Sequence, residues 1–216
     1  MASLYPAMLR LQGRPVLVVG AGTIAASKVS ALLEAGARVT VVAPEVGPEL
    51  AERGRRGEVA VRREEVAAHH LDGVWLVVGA SGVEAVDRWL AAECDQRRIF
   101  LNAVDRPPAC TFYVPSVVRA EPILVAISTN GTSPALAGRL RRIVADALPP
   151  RVGDLARLLG SFRGEAKARL GSQAERHRLF TSLLDGPLPD LVAAGRIEEA
   201  RALVARALDD AAGAAR

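Results

Sequence analysis

One stretch near the start limits what this chain can fold into more than any other: Arg14-Pro15-Val16-Leu17-Val18-Val19-Gly20-Ala21-Gly22-Thr23-Ile24-Ala25-Ala26-Ser27-Lys28. Four consecutive apolar residues, Val16 to Val19, stop at Gly20-Ala21-Gly22. A helical pattern follows, with Ile24, Val29, Leu32 and Leu33 on one face. A strand that is apolar on both faces belongs in a buried parallel sheet. Its glycine exit lets the backbone turn tightly and approach a pyrophosphate, which rests on the free N–H groups of the following helix. Ala25 holds the third small position, where helix and strand pack too closely for a larger side chain. In this strand–turn–helix setting the pattern is a G-x-G-x-x-A dinucleotide fingerprint anchored on Gly20, Gly22 and Ala25. A purely structural turn is the alternative.

The next elements extend the same fold. Glu34-Ala35-Gly36 closes the helix, and Arg38 to Pro44 reads as a second parallel strand. NAD enzymes carry an acid at the end of that strand for the ribose hydroxyls, and Glu45 stands just past Pro44. No Arg or Lys lies between Thr40 and Pro48 to receive a 2′-phosphate, so NAD is favoured over NADP. Glu49 to Arg56 predicts a polar helix closed by Gly57, and Val59 to Arg63 a third strand. His69 and His70 are adjacent and cannot share a helix face; they are assigned to a loop with no ligand role. Val74 to Val78 repeats the opening logic, a buried strand entering Gly79-Ala80-Ser81-Gly82. Ligands of a doubly wound sheet sit at strand ends, so Gly79, Ala80 and Ser81 either face the glycine turn or form a flexible strand exit. A helix over 84–96 follows, with Val86, Leu90 and Cys94 in apolar register. A strand over 98–105 then delivers Asn102 and Asp105 to the same rim.

Past Pro108 the pattern changes. Residues 111–119 and 122–128 read as two strands joined at Ala120-Glu121, while Tyr5 to Leu11 reads as a short edge segment. Thr129-Asn130-Gly131-Thr132-Ser133-Pro134 opens a helix over 135–148, with Ser133 as N-cap and Pro134 in the first turn. Leu136, Leu140, Val144 and Leu148 form its apolar stripe. Its leading amides are either an anion site or a well-capped structural end. After Pro149-Pro150 the chain is helical near 151–160, 162–169, 172–184, 187–194 and 196–210, with a frayed tail. The architecture expected is α/β. A Rossmann-type parallel-sheet domain spans 1–112, a small α+β region 113–148, and an all-helical domain 149–216.

Half of the 216 residues are hydrophobic, enough for a real core, yet no run of about 18 apolar residues offers a membrane span. The start lacks the basic segment and long apolar core of a signal peptide. Cys94 and Cys110, the only cysteines, have neither framework nor metal-ligand spacing. A reduced, cytoplasmic protein without a metal site is expected. Ten basic residues against four acidic ones lie between Arg139 and Arg178. That excess suits an anionic small molecule or a solvated face; few aromatics and no recognition helix argue against nucleic acid. No Ser-His-Asp or Cys-His arrangement is present. Asp105 is the one acid at the expected rim. Beside a nicotinamide it accepts a proton as hydride leaves, or orients a pyrrole N–H; otherwise it forms an Asx turn before Arg106-Pro107.

Several pieces in order carry a family likeness: Val18-Val19-Gly20-Ala21-Gly22 with Ala25 and Lys28, Leu33 to Ala37, and Arg98-Ile99-Phe100 with Asn102, Val104 and Asp105. Phe112, Pro115-Ser116, and Val125 to Ser128 with Gly131 to Pro134 complete the set. Each is unspecific alone, but in this order and spacing they resemble the NAD-dependent precorrin-2 dehydrogenases of siroheme biosynthesis along essentially the whole chain. The resemblance implies oxidation of precorrin-2 to sirohydrochlorin with hydride passing to NAD⁺. In some members it implies Fe²⁺ insertion into the product as well. It gives Asp105 the role of base or substrate orienter and places NAD contacts at Thr23, Ile24, Pro44 and Glu45 beside the glycine turn. It further implies an intertwined homodimer through 113–148, with substrate between the nucleotide domain and the helical parts.

The substrate-binding set expected from both readings is Asn102, Ser116, Thr129, Gly131, Thr132 and Ser133. A serine that is phosphorylated in the siroheme synthase module corresponds to Thr129. The carboxylates fringing precorrin-2 match the basic helical region and the helix start at Ser133. The macrocycle brings its own nitrogen ligands, so iron insertion needs no protein metal site. His177 either assists that insertion or is a surface histidine. Two competing classes are a chelatase or tetrapyrrole carrier with a vestigial nucleotide site, and a dimeric nucleotide-sensing regulator.

Overall fold

The computed structural model describes residues 4–214 and divides into two compact units that meet in sequence at Val114 and Pro115. In the first unit, β1 (Pro15–Val19), β2 (Arg38–Val42), β3 (Ala60–Arg62), β4 (Leu76–Gly79) and β5 (Phe100–Ala103) form one parallel sheet in the order β3-β2-β1-β4-β5. The two-residue period of β1 sorts its side chains onto two cores. Val16 and Val18 pack with Ala25, Ala26 and Val29 of α1 (Thr23–Glu34) and Leu50 of α2 (Pro48–Arg55). Leu17 and Val19 pack on the other face with Leu90 and Cys94 of α3 (Glu84–Arg97). Each of these side chains is almost wholly withdrawn from water, worth about 1.5–3 kcal/mol for a Val or Leu. Helices therefore cover both faces, and the strand order reverses between β1 and β4, where ligands of such sheets bind.

Three expectations for this unit need correction. Ile24 is 50 % exposed and lies off the buried face of α1. The helix approaches β1 through the small Ala25 and Ala26 instead, with Leu32 and Leu33 half-buried at the margin. The segment Tyr5 to Leu11 forms no strand; Tyr5 is 91 % exposed and only Leu11 is buried. His69 and His70 lie in a single 3-10 turn, Ala68–Leu71, rather than an irregular loop.

The second unit opens with an antiparallel hairpin, β6 (Ser116–Ala120) and β7 (Ile123–Ile127), joined by Glu121 and a cis Pro122. In α4 (Pro134–Ala147) the Ser133 hydroxyl accepts from the Leu136 N–H at 3.2 Å, the expected cap. Its expected stripe is only half-buried at Leu140, Val144 and Leu148, and Leu136 is 48 % exposed; Ala137 is the one buried residue. Where two helices were expected, α5 (Val152–Arg169) runs unbroken. Ser161 bonds back to the Leu158 carbonyl at 2.7 Å, so its hydroxyl is satisfied without ending the helix.

Gly153 lets α5 press onto the hairpin connection, because a Cβ there would stand 2.2 Å from the Glu121 carbonyl oxygen. Arg157 donates to that same oxygen at 2.5 Å. The remaining helices are α6 (Gln173–Leu184), α7 (Leu188–Ala193) and α8 (Ile197–Ala214), with Gly195 turning at φ +76° between the last two. Leu155, Leu158 and Phe162 pack with Leu183, Val204 and Leu208. α8 continues past Asp210, where fraying was expected. Pro149-Pro150 separates α4 from α5, yet hairpin, α4 and α5–α8 group as one unit. Among the described residues no helix is long and apolar enough to cross a membrane.

Candidate functional site

The carboxyl ends of β2, β1, β4 and β5 are stitched together by backbone bonds. Gly20 N–H donates to Val42 at 2.9 Å, Ala80 N–H to Val19 at 2.7 Å, and Val104 N–H to Gly79 at 2.8 Å. Gly20 sits at φ +106°, and a Cβ on it would lie 2.3 Å from the Ala80 carbonyl oxygen. That close approach admits only glycine. Gly22 is different: nothing lies within 4 Å of a Cβ built there. It is the N-cap of α1 and contributes no side-chain cap, and the first turn carries no acid. The leading amides of α1 are thus open toward an anion.

Two clefts meet at this turn. One, of about 770 Å³, runs from Gly20 and Gly22 past Pro44 and Glu45, with Glu65, Val66 and Val83 in its walls. The other, of about 550 Å³, runs from Gly22, Thr23 and Ile24 past Asp105 and Arg106. They share Gly22, Ala80 and Ser81. Most expected cofactor residues therefore line one continuous crevice: Gly20, Gly22, Thr23, Ile24, Pro44, Glu45, Ala80 and Ser81. Ala25 and Gly79 do not. Ala25 is fully buried against β1, and a Cβ on the buried Gly79 would meet Leu90 at 3.2 Å and Asp87 Oδ1 at 3.4 Å. Both serve packing rather than contact.

Asp105 lies exposed just beyond β5 in left-handed backbone, φ +60°. Among the described residues its carboxylate has no hydrogen bond or ion pair, so the Asx turn is not formed. The loop that presents it is braced from behind. Cys110 Sγ bonds the Ala103 and Arg106 carbonyls at 3.2 and 3.4 Å, and Thr111 Oγ1 accepts from the Leu101 N–H at 2.8 Å. Asn102 belongs to this bracing and not to the rim: it is 8 % exposed, and its amide donates to the Phe112 carbonyl at 3.2 Å. Burial pushes the Cys94 thiol up to about 11 and raises Cys110 as well, so neither is an activated nucleophile.

Sequence reasoning missed Asp87 and Arg106. Asp87 is 3 % exposed on α3, and its Oδ2 accepts from Arg106 Nε at 2.8 Å while Oδ1 finds no partner. The signal was present, since Asp87 falls three residues before Leu90 and seven before Cys94, in the helix's buried register.

In the second unit the expected substrate residues form a self-contained loop. Thr129 Oγ1 donates to the Ser133 carbonyl at 3.0 Å and accepts from its N–H at 3.1 Å; Thr132 Oγ1 donates to the Thr129 carbonyl at 2.5 Å. Gly131 turns at φ +79°, and Ser116 starts β6 half-buried. Three of these hydroxyls are already engaged locally. A separate basic cleft of about 510 Å³ is lined by Arg163, Lys167, Arg176 and His177 over Leu159 and Phe180.

A family model described as putative NAD(P)-binding matches residues 7–116, just over half the chain. Two more, described as the central region of a sirohaem biosynthesis protein and the sirohaem synthase dimerisation region, match 122–147 and 151–208. The solved structure of SirC, a precorrin-2 dehydrogenase, superposes with a TM-score of 0.77 and 29 % identity, covering 94 % of this chain and all of that one. The chain belongs to the precorrin-2 dehydrogenase family.

Siroheme synthase 1 of Serratia proteamaculans is 38 % identical over 196 residues, covering 91 % of this chain and 41 % of its own length. Siroheme synthase 3 of Aeromonas hydrophila is 42 % identical over 179 residues, covering 83 % and 38 %. The chain thus spans about two fifths of those relatives. The dimerisation description falls on 151–208, C-terminal to the 113–148 region for which dimerisation was expected.

Proposed function

We propose that this protein oxidises precorrin-2 to sirohydrochlorin, using NAD⁺, in the cytoplasm, as a homodimer held through its second unit. The observation that carries the reading is the meeting of two clefts at Gly22, Ala80 and Ser81, with the unpartnered carboxylate of Asp105 on the far side. The open space at Gly22 and the uncapped amides of α1 fit a pyrophosphate, and the exposed Glu45 fits ribose hydroxyls. When bound, NAD⁺ supplies the hydride acceptor. Asp105 takes the proton that leaves the macrocycle as a C–H bond gives up its hydride, and its exposure passes that proton on to water. The Asp87–Arg106 pair and the Cys110 and Asn102 bonds hold the loop that aims this carboxylate.

The basic cleft at Arg163, Lys167 and Arg176 is charge-complementary to a polyanionic ring. Exposed Leu124, Leu136 and Ile143 in the second unit support a dimer contact spanning both 113–148 and 151–208. Fe²⁺ is a further substrate on this reading, taken by the macrocycle's own nitrogens with Asp105 receiving the displaced protons. Anaerobic mixing of the protein with precorrin-2 and NAD⁺ tests the main claim. NADH formation in step with the sirohydrochlorin spectrum is expected, and its absence with both ligands bound would leave only a carrier or chelatase.

A further inference from the structure

Outside the crevice, Glu64, His69 and His70 bring one carboxylate and two imidazoles together, with ligand atoms all within 4.8 Å of one another. The two adjacent rings sit in the 3-10 turn with centroids 4.0 Å apart and planes at 37°, close to Glu64, two residues past the end of β3. His70 Nε2 lies 3.3 Å from Glu64 Oε1. Bonds of about 2.05 Å to a tetrahedral ion place neighbouring ligand atoms roughly 3.3 Å apart, so this edge is already at ligand spacing.

The ring of His70 is held for either tautomer. Its Nδ1 is 3.0 Å from the Ala67 N–H and 3.2 Å from the Ala67 carbonyl oxygen. Accepting from the N–H leaves a proton on Nε2, which then bonds Glu64. Donating to the carbonyl instead frees the Nε2 lone pair. The second arrangement is how metal-ligating histidines are oriented, with the distal N–H given to a backbone carbonyl. The His70 side chain is 7 % exposed and fixed, whereas Glu64 is 51 % exposed and free to close on an ion.

We propose that Glu64, His69 and His70 form a binding site for a divalent transition metal of the Zn²⁺, Co²⁺ or Fe²⁺ class. Imidazole and carboxylate donors select such ions over Mg²⁺ and Ca²⁺. Three protein ligands leave a coordination position to water, which makes the site open and exchangeable rather than a closed structural one. The assignment stands independently of the dehydrogenase reading, because none of the three residues lines the crevice.

Titration of the full chain with Co²⁺ alone, followed by the visible d–d absorption of bound cobalt, tests it. One Co²⁺ is expected to bind with a four- or five-coordinate spectrum, unaffected by excess Mg²⁺ and displaced by Zn²⁺. His69→Ala and Glu64→Gln, each checked for unchanged circular dichroism and NAD⁺ affinity, are expected to weaken binding at least about tenfold. His70→Gln is expected to do the same, and should it fail to fold the other two variants still decide. No cobalt spectrum in the wild type, or undiminished affinity in both His69→Ala and Glu64→Gln, overturns the assignment.

Discussion

Arg106 Nε donates a 2.8 Å hydrogen bond to Oδ2 of Asp87, joining the loop after β5 to the first turns of α3. Asp87 is 3 % exposed, so its charge is tolerable only because that guanidinium answers it. Arg106→Ala is expected to lower stability by about 1–3 kcal/mol, less than for a wholly buried pair because Arg106 keeps 37 % of its side chain in water. Urea unfolding measures this. A loss within experimental error would mean that solvent reaches Asp87 freely.

The two glycines of the fingerprint are expected to fail in different ways. Gly20→Ala forces a Cβ to 2.3 Å from the Ala80 carbonyl at φ +106°, so misfolding or a loss of several kcal/mol is expected. Gly22→Ala meets nothing within 4 Å and has ordinary extended backbone, so its melting temperature should hold while NAD⁺ affinity falls. Calorimetry of both variants with and without NAD⁺ separates the cases. Equal NAD⁺ affinity in Gly22→Ala and wild type would remove the pyrophosphate from this turn.

For Asp105 the informative variant is asparagine. It keeps the side-chain volume and tolerates φ +60°, whereas alanine adds a backbone penalty of about 1 kcal/mol. Asp105→Asn is expected to reduce NADH formation from precorrin-2 at least about 100-fold, with NAD⁺ binding intact. Turnover at the wild-type rate would take proton transfer away from this residue.

Cys94 links stability to alkaline pH. Its folded thiol is raised to about 11 from 9.0 by burial, so the folded state holds a proton that the unfolded chain releases first. Stability from this group is whole below pH 9 and is lost as pH climbs toward 11. The loss is about 2–3 kcal/mol at most. Urea midpoints between those pH values should fall more steeply in wild type than in Cys94→Ala. Parallel slopes would show the thiol to be already accessible to water.

How much of this was legible beforehand depends on the range of the interaction. β1, its glycine turn, and the Ser133 cap are local patterns, and the structure realises each where it was expected. The placement of Glu45 and Asp105 along one crevice followed from strand ends sharing one edge of a parallel sheet. Asn102 was misplaced because its fate turns on a bond to Phe112 ten residues away, which no periodicity reveals. Ile24 was misplaced because close helix–strand approach selects the small Ala25 and Ala26 over the larger neighbour. His69 and His70 were set aside on a helical-face argument, which is silent on ring–ring approach between sequence neighbours; their centroids lie 4.0 Å apart at a 37° tilt.

The left-handed backbone at residue 105 also restricts which acids evolution can place there. Glutamate would offer the same functional group with a longer reach, but it lacks aspartate's tolerance for that torsion. An interchange ordinarily regarded as mild is therefore disfavoured by main-chain geometry before any question of reactivity arises, and homologues that vary at this position should turn to asparagine or glycine.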